Sequence, residues 1–558
     1  MERITATGGE WIVGCLDRLG VRRVYGVPGE SFLPVLDALH ESPISFIGCR
    51  HEGGAAMAAE AEAKLTGQPG IAFVTRGPGA SNAVAGLHVA SQDSTPLVLF
   101  VGQIARDVRH REAFQEIDTA RMFADTAKWA ADIDRAERVP EMVSRAFHIA
   151  ASGRPGPVVL GLPEDMLRDD ATNLPLPAGF TPVEIHPAAQ DMVRMAALVD
   201  GAERPLAIVG GSRWDAAAVA AFTRFAESRG LPVACAFRRQ MLFDHSHENY
   251  AGDLGLGANP ALVKRVREAD VILAVGTRLG DVTSQGYALL DIPRPRQTLV
   301  HVHADPQELG RVYRPALAIN ATPRAFCGAL SNVSPPLRRP DESVARAARQ
   351  AYRLWSTPPE TGPGAVHMGP IVSHLETVLP DSAIITNGAG NFATWVHRFH
   401  RFRGYATQVA PTSGSMGYGL PAALGAQLSH PDRLVVCVTG DGDFQMTMQE
   451  VGTMTQHRLP ILILVVNNGI YGTIRMHQER SYPGRISGTD LVNPDFARLA
   501  QAYGAFGEAV TETAAFPDAL ARALAHLETR TGPALLDIHL DPEAITPART
   551  LSQIRAGS

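Results

Sequence analysis

Short apolar, β-rich runs alternate along the whole chain with Ala-rich stretches of helical periodicity. Residues 45–49, 70–75, 96–102 and 157–162 read as buried strands, most of them followed by a turn and a helical pattern. Strands covered on both faces, as in parallel sheets packed between helices, show this unbroken apolar character in place of alternation. Residues 205–210, 231–236, 271–276 and 298–303 form a second set. Residues 383–386, 434–439, 461–467 and 534–538 form a third. Two Pro-rich polar stretches separate the sets and read as linkers. One is 170–190, around Leu174-Pro175-Leu176-Pro177; the other is 334–369, with Pro335-Pro336, Pro358-Pro359 and Gly362-Pro363-Gly364. The pattern predicts an α/β protein of three doubly wound parallel-sheet domains, at 1–180, 190–333 and 365–545, with a mobile tail at 548–558.

The length fits that division. A chain of 558 residues, 45% hydrophobic, exceeds what one core usually supports. A net charge of -6 does not suggest nucleic acid, which would want a basic face. Cys15, Cys49, Cys235, Cys327 and Cys437 are dispersed without a CxxC pair, which argues against a disulfide framework and a zinc site. The start, with Glu2 and Arg3, lacks the apolar segment of a signal peptide. The apolar runs at 97–101 and 461–466 are too short to cross a bilayer. A cytoplasmic location is the expectation.

The chemistry concentrates at strand ends. Gly440-Asp441-Gly442-Asp443-Phe444 ends one apolar strand, and Asn467-Asn468-Gly469 ends another. Ligands of parallel sheets sit at carboxyl ends of strands, so Asp441 and Asn468 can share a crevice. A hard cation such as Mg²⁺ takes one or two protein oxygens, waters and the phosphates of its partner. Glycines let the backbone approach phosphate, and helix N-termini favour it. A capping Asp in a plain strand–turn–helix would look the same in isolation; the Asn-Asn pair after the next strand sets this motif apart. Glu52 in Arg50-His51-Glu52-Gly53-Gly54 opens a helix, where an acid is already favourable to the dipole. The chemical reading is that a carboxylic group in a desolvated crevice, its pKa raised, activates the aminopyrimidine of thiamine diphosphate and so its C2 carbanion. Met416, among glycines in Gly414-Ser415-Met416-Gly417, is a bulky support for the bent cofactor, or core filler.

Arg50-His51-Glu52, Thr75-Arg76-Gly77-Pro78-Gly79-Ala80-Ser81-Asn82, Phe114-Gln115-Glu116, Ser415-Met416-Gly417-Tyr418-Gly419-Leu420-Pro421 and the paired strand-end motifs resemble the acetolactate synthase group of thiamine-diphosphate enzymes, in order and through nearly the whole chain. The resemblance implies pyrimidine-binding, central and diphosphate-binding domains. It implies a homodimer at least, commonly a homotetramer, with active sites between subunits. It implies Glu52 as activator and Met416 as thiazolium support, with Gly414 beside the pyrimidine. Asp441, Asn468 and the Ile470 backbone oxygen would hold Mg²⁺. Ala389, Gly390, Asn391, Phe392, Gly442, Asp443, Gly472 and Thr473 would line the diphosphate site, and Gly79 and Asn82 the pyrimidine side. Gln115, Phe114 and Lys128 would reach the reacting centre, and Ile474 the substrate.

Three positions depart from acetolactate synthases. Their Arg-Phe-Asp-Asp-Arg run reads Arg278-Leu279-Gly280-Asp281-Val282, so an acceptor carboxylate facing Val282 loses a charge-assisted hydrogen bond of about 1.5–3 kcal/mol. Their pocket tryptophan aligns with His477. Glu30 stands where they carry glycine and pyruvate decarboxylases an Asp; it either faces the thiazolium and handles protons or is a solvated turn residue. The central segments Ile208-Val209-Gly210-Gly211-Ser212 and Gly276-Thr277-Arg278 are compatible with FAD or with nothing, since neither is a GxGxxG fingerprint.

The reading is a thiamine-diphosphate- and Mg²⁺-dependent decarboxylase or carboligase of a 2-oxoacid, with an aldehyde or ketone as acceptor. Nucleic acid and membrane are not expected partners. The alternatives are a 2-hydroxyacyl or benzoin-type lyase, an FAD-dependent 2-oxoacid oxidase, and a cofactor-binding relic. The presence of Glu52, Met416, Asp441 and Asn468 together disfavours the last.

Overall fold

Three six-stranded parallel sheets follow one another along the chain, each covered by helices. The computed structural model describes residues 5–336 and 341–557. Met1–Ile4, with the Glu2 and Arg3 of the leader argument, residues 337–340 of the second expected linker, and Ser558 of the expected tail lie outside the described residues.

The first sheet runs Ser45–Gly48, Arg23–Gly26, Gly70–Val74, Leu97–Gln103, Pro157–Pro163, Trp129–Asp132. The third runs Gln408–Val409, Ile384–Asn387, Val435–Gly440, Ile461–Asn467, Ala534–His539, Phe506–Val510. Counted along the chain, both have the order second, first, third, fourth, sixth, fifth. The middle sheet runs Tyr250–Leu254, Val233–Ala236, Pro205–Val209, Val271–Val275, Thr298–His303, Leu317–Asn320, which is third, second, first, fourth, fifth, sixth. In each sheet the winding reverses beside the first strand, and such switch points form ligand crevices. The turns after Ile384–Asn387 and Val435–Gly440 meet at one of them, and those after Pro205–Val209 and Val271–Val275 at another.

The first and third domains share a core through the helices Glu52–Thr66, Gly77–Asp93 and Gly419–Ser429. Glu52–Thr66 is buried on nearly every side, which is why its sequence is small residues without an amphipathic stripe. The charges inside this contact are paired, as burial requires. Lys64 Nζ donates to Asp93 at 2.6 Å and to the Tyr418 hydroxyl at 3.1 Å, and that hydroxyl donates to Glu60 at 2.5 Å.

Three expectations are corrected. Asp170–Thr172 is no linker: it pairs antiparallel with Thr5–Thr7 and closes the first domain. Within the second expected linker Ser343–Trp355 is a helix whose Ala348 and Tyr352 enter the middle domain's cores. The tail is docked: Thr550 caps Leu551–Arg555, Leu551 and Ile554 pack on Ile470 and Ile545, and Arg555 meets Glu479 at 2.8 Å. The five cysteines are free and buried. No helix among the described residues is long and apolar enough to cross a membrane.

Candidate active site

At the switch point of the third sheet lies a cavity of ≈ 710 Å³. Ala389, Gly390, Asn391, Phe392, Gly414, Met416, Asp441, Gly442, Asp443, Asn468, Ile470, Gly472, Thr473, Ile474, His477 and Val282 all line it. The sequence reading placed these residues together, and they converge from five separate stretches of chain.

Asp441 sits at the start of the short helix Asp441–Phe444, directly after its strand, and is 3% exposed. Its Oδ1 accepts from the Gly442 N–H at 2.9 Å; its Oδ2 accepts from the Gly469 N–H at 2.8 Å and from Asn493 Nδ2 at 2.7 Å. Burial pushes the carboxyl above the usual range, and these donors pull the other way. Asn493 also donates to the Asn467 side chain at 2.8 Å and accepts from Gln445 Nε2 at 3.0 Å, so it ties two strand ends together. Sequence reasoning missed it, because its partners lie far away along the chain. Asn468 Oδ1 accepts from the Ile470 N–H at 3.3 Å. Among the described residues no group of three or more His, Cys, Asp or Glu side chains is placed to hold a metal ion.

Asp443 lines the same wall, but its carboxylate is turned into the protein. It accepts from Thr439 Oγ1 at 2.7 Å, the Gly417 N–H at 2.8 Å and the Ala389 N–H at 3.1 Å. One side chain therefore joins the 389–392 turn to the Met416 loop. Burial pushes its pKa up to about 6. Gly414 and Gly417 flank Met416 with φ of 70° and 75°, a conformation that suits glycine and leaves the methionine standing into the cavity. Thr473 Oγ1 accepts from the Asn391 N–H and donates to the Asn391 side chain, both at 3.0 Å.

Glu52, Gly79, Asn82, Phe114 and Gln115 form a second group, on the first domain, and none of them lines that cavity within the chain. Glu52 Oε2 accepts from Asn82 Nδ2 at 2.9 Å. A Cβ on Gly79 would lie 3.2 Å from Glu52 Oε1. The Gln115 carbonyl accepts from the Gly77 N–H at 3.1 Å, which sets the 114–115 loop beside the same helix start. Phe114 is 74% exposed. The turn before Glu52 is held from the third domain: buried Glu450 Oε1 accepts from the Arg50 and His51 N–H groups at 3.0 and 3.1 Å. Glu450 was not singled out in the sequence; a lone Glu at a helix start carries no spacing signal.

Two further residues lie outside the cavity, Glu30 beside the start of the helix that carries Gly79 and Asn82. Glu30 opens the turn Glu30–Phe32 with its side chain 75% exposed and accepts from Arg76 at 2.9 Å; Arg76 also reaches Glu164 at 2.9 Å. Lys128 is a correction. It precedes Trp129–Asp132, at the amino end of its strand, while Glu52 and Gly79 follow carboxyl ends. Its Nζ donates to the Ile149 and Ser152 carbonyls, so it does not reach the expected centre. Burial lowers its pKa to about 8.

A separate cavity of ≈ 570 Å³ occupies the middle sheet's switch point, lined by Gly211, Gly276, Thr277 and Arg278 and by Arg154, Arg213, Arg239 and Arg311. Gly211 and Gly276 have φ of 72° and 74°, and a Cβ on either would strike the other turn's carbonyl. Burial and the neighbouring Arg278 and Arg311 lower the Arg154 pKa.

Comparison with known proteins agrees with this layout. The profile "Thiamine pyrophosphate enzyme, N-terminal TPP binding domain" matches residues 6–122, that of the central domain 192–330, and that of the C-terminal TPP binding domain 388–538. The chain is 32% identical to the acetolactate synthase isozyme 2 large subunit of Escherichia coli (strain K12) over 96% of its own length and 95% of that protein's. It is 33% identical to the acetolactate synthase large subunit of Parasynechococcus marenigrum (strain WH8102), over 96% and 88%. It is 30% identical to a probable acetolactate synthase large subunit of Methanocaldococcus jannaschii, over 97% and 93%.

Proposed function

The chain belongs to the thiamine pyrophosphate enzyme family, in its acetolactate synthase-like group, and from that premise we propose that it decarboxylates a 2-oxoacid and joins the remaining fragment to an acceptor, using thiamine diphosphate and Mg²⁺. The observation that carries this reading is the meeting of Asp441, Asn468, the glycine-rich turns and Met416 in one cavity. When bound, thiamine diphosphate supplies a carbon nucleophile for the donor's carbonyl and a sink for the electron pair left as CO₂ departs.

The residues fit both groups. Asp441 offers a carboxylate oxygen, Asn468 an amide oxygen and Ile470 a backbone carbonyl. That is too few donors for a dedicated protein cage but suits Mg²⁺, which keeps phosphate and water oxygens. The N–H groups of 389–392 and the start of Asp441–Phe444 favour the anion. Glu52 Oε1 makes no hydrogen bond among the described residues, so it is free to hold a proton against the pyrimidine ring nitrogen while Asn82 fixes the other oxygen. Leu540, Ala544, Ile545 and Ile554 line the cavity and help exclude water.

Glu52 and Asp441 belong to different groups within one chain, so we assign the complete site to two chains, the first domain of one facing the third domain of the other. The basic lining and tight glycine turns of the central cavity suit the pyrophosphate of an adenine dinucleotide, FAD being the candidate; flavin absorbance in the purified protein reads this directly.

A screen of CO₂ release over 2-oxoacids, with and without aldehyde acceptors, tests the function. At least one acid should release CO₂ only when thiamine diphosphate and Mg²⁺ are both present. Glu52→Gln should slow that release about 10²–10⁴-fold while still binding the cofactor. Release independent of the cofactor, or none from any acid, would refute the reading.

A further inference from the structure

Beyond the cofactor loops, the cavity has a wall from the middle domain: Phe237, Asp253, Leu256 and Val282. Asp253 lies at the end of the edge strand Tyr250–Leu254. It is half-buried at the cavity wall and forms no ion pair among the described residues. Its Oδ1 accepts from Gln240 Nε2 at 3.3 Å. Gln285 Nε2 bridges the Gly255 and Val282 carbonyls at 3.3 and 3.1 Å, so the turn carrying Asp253 and the turn carrying Val282 form one continuous surface.

Of the guanidinium groups that line the cavity, the two beside the middle-domain wall and the 389–398 segment are engaged. Arg238 donates to the Pro411 carbonyl and lies over the Phe237 ring. Arg398 donates to the Trp355 carbonyl at 2.8 Å and lies 3.5 Å over that ring. Arg480 and Arg549 are exposed. Apart from the engaged Arg238, the middle-domain wall therefore offers a carboxyl group and apolar side chains.

We propose that Asp253 is a specificity-determining residue that contacts the acceptor, and that the acceptor is an uncharged carbonyl compound, an aldehyde, in preference to a second 2-oxoacid. This deepens the carboligase reading and rests on it. A carboxyl group serves a neutral polar acceptor in either protonation state: protonated, it donates to the carbonyl oxygen; ionised, it accepts from a hydroxyl. Against an acceptor carboxylate it becomes one of two like charges in a poorly hydrated wall, a costly juxtaposition. The donor's carboxylate is different, because it leaves as CO₂ and needs no lasting counter-ion. Burial supports the protonated form, pushing the Asp253 pKa up to about 7, against its own and the Gly255 backbone N–H groups.

The test uses the holoenzyme with a donor that releases CO₂ and compares propanal with 2-oxobutanoate, the same carbon chain bearing a carboxylate. The wild type should favour propanal in kcat/KM by roughly 10-fold or more. Asp253→Asn, which removes the charge at constant shape, should move the ratio toward 2-oxobutanoate by a similar factor. A wild-type preference for 2-oxobutanoate, or a ratio unmoved by Asp253→Asn, would overturn the proposal. Donor CO₂ release with ferricyanide in place of an acceptor separates the two levels: if it proceeds, such failures fall on the acceptor inference alone, and if it is absent, the carboligase reading itself fails.

Discussion

Asp441 enters the cavity already oriented, with three donors on its carboxylate and Asn493 the only side chain among them. Groups that orient a metal ligand usually matter nearly as much as the ligand. Asn493→Ala should therefore weaken Mg²⁺-dependent cofactor binding about 10–100-fold without unfolding the protein, read by titrating cofactor at fixed Mg²⁺. Unchanged affinity would mean that Asp441 is held by its backbone donors alone. The residues proposed to bear chemistry were legible in the sequence because they sit in short, ordered motifs. The residues that hold them were not. Glu450 reaches Arg50 and His51 across the domain boundary, and Asn493 reaches Asp441 from a loop; neither contact has a fixed spacing to find. Lys128 shows the converse error. The family resemblance placed it near the reacting centre, but the fold puts it at the opposite end of the sheet from Glu52.

Elements were legible in proportion to their burial. Central strands such as Leu97–Gln103 and Ile461–Asn467 are buried along almost their whole length and read as unbroken apolar runs. The strands that escaped were mostly edges. Trp129–Asp132, Tyr250–Leu254, Leu317–Asn320, Gln408–Val409 and Phe506–Val510 each border a sheet, where a strand has one neighbour and tolerates polar or short sequence. Arg23–Gly26, though internal, is only a short run opening on an arginine. The helix Ser343–Trp355 was hidden by its arginines and its Pro-rich surroundings, although Ala345, Ala348 and Tyr352 keep helical spacing. The tail helix Leu551–Arg555 has a functional consequence, since Ile554 lines the cavity and Leu551 packs over Ile470. Each of these two apolar side chains stabilises docking by about 1.5–3 kcal/mol. Truncation after residue 549 should leave the three domains folded by circular dichroism, yet loosen cofactor binding and open 470–476 to hydrogen exchange. Wild-type protection there in the truncated chain would contradict this role.

The whole molecule presents two half-sites that one chain does not bring together: Glu52 with Asn82, and the cavity of Asp441 and Met416. If two chains complete each other, a mixed dimer of Glu52→Gln and Asp441→Ala chains holds one doubly altered site and one intact site. Mixing the two inactive variants in equal amounts under exchange conditions should then restore about a quarter of wild-type activity, as a symmetric pairing of subunits requires. No recovery, with subunit exchange confirmed by mass, would place each site within one chain. The shared strand order of the first and third sheets fits this arrangement, since like-shaped domains offer like-shaped faces to a partner.

The central claim is that Asp441 and Asn468 anchor thiamine diphosphate through Mg²⁺ at the third sheet's switch point. Calorimetric titration of the cofactor-free protein tests it most directly. The account predicts saturable binding of thiamine diphosphate with Mg²⁺ present, lost when the metal is chelated and lost in Asp441→Ala. Binding of equal strength without the metal, or in Asp441→Ala, would contradict it.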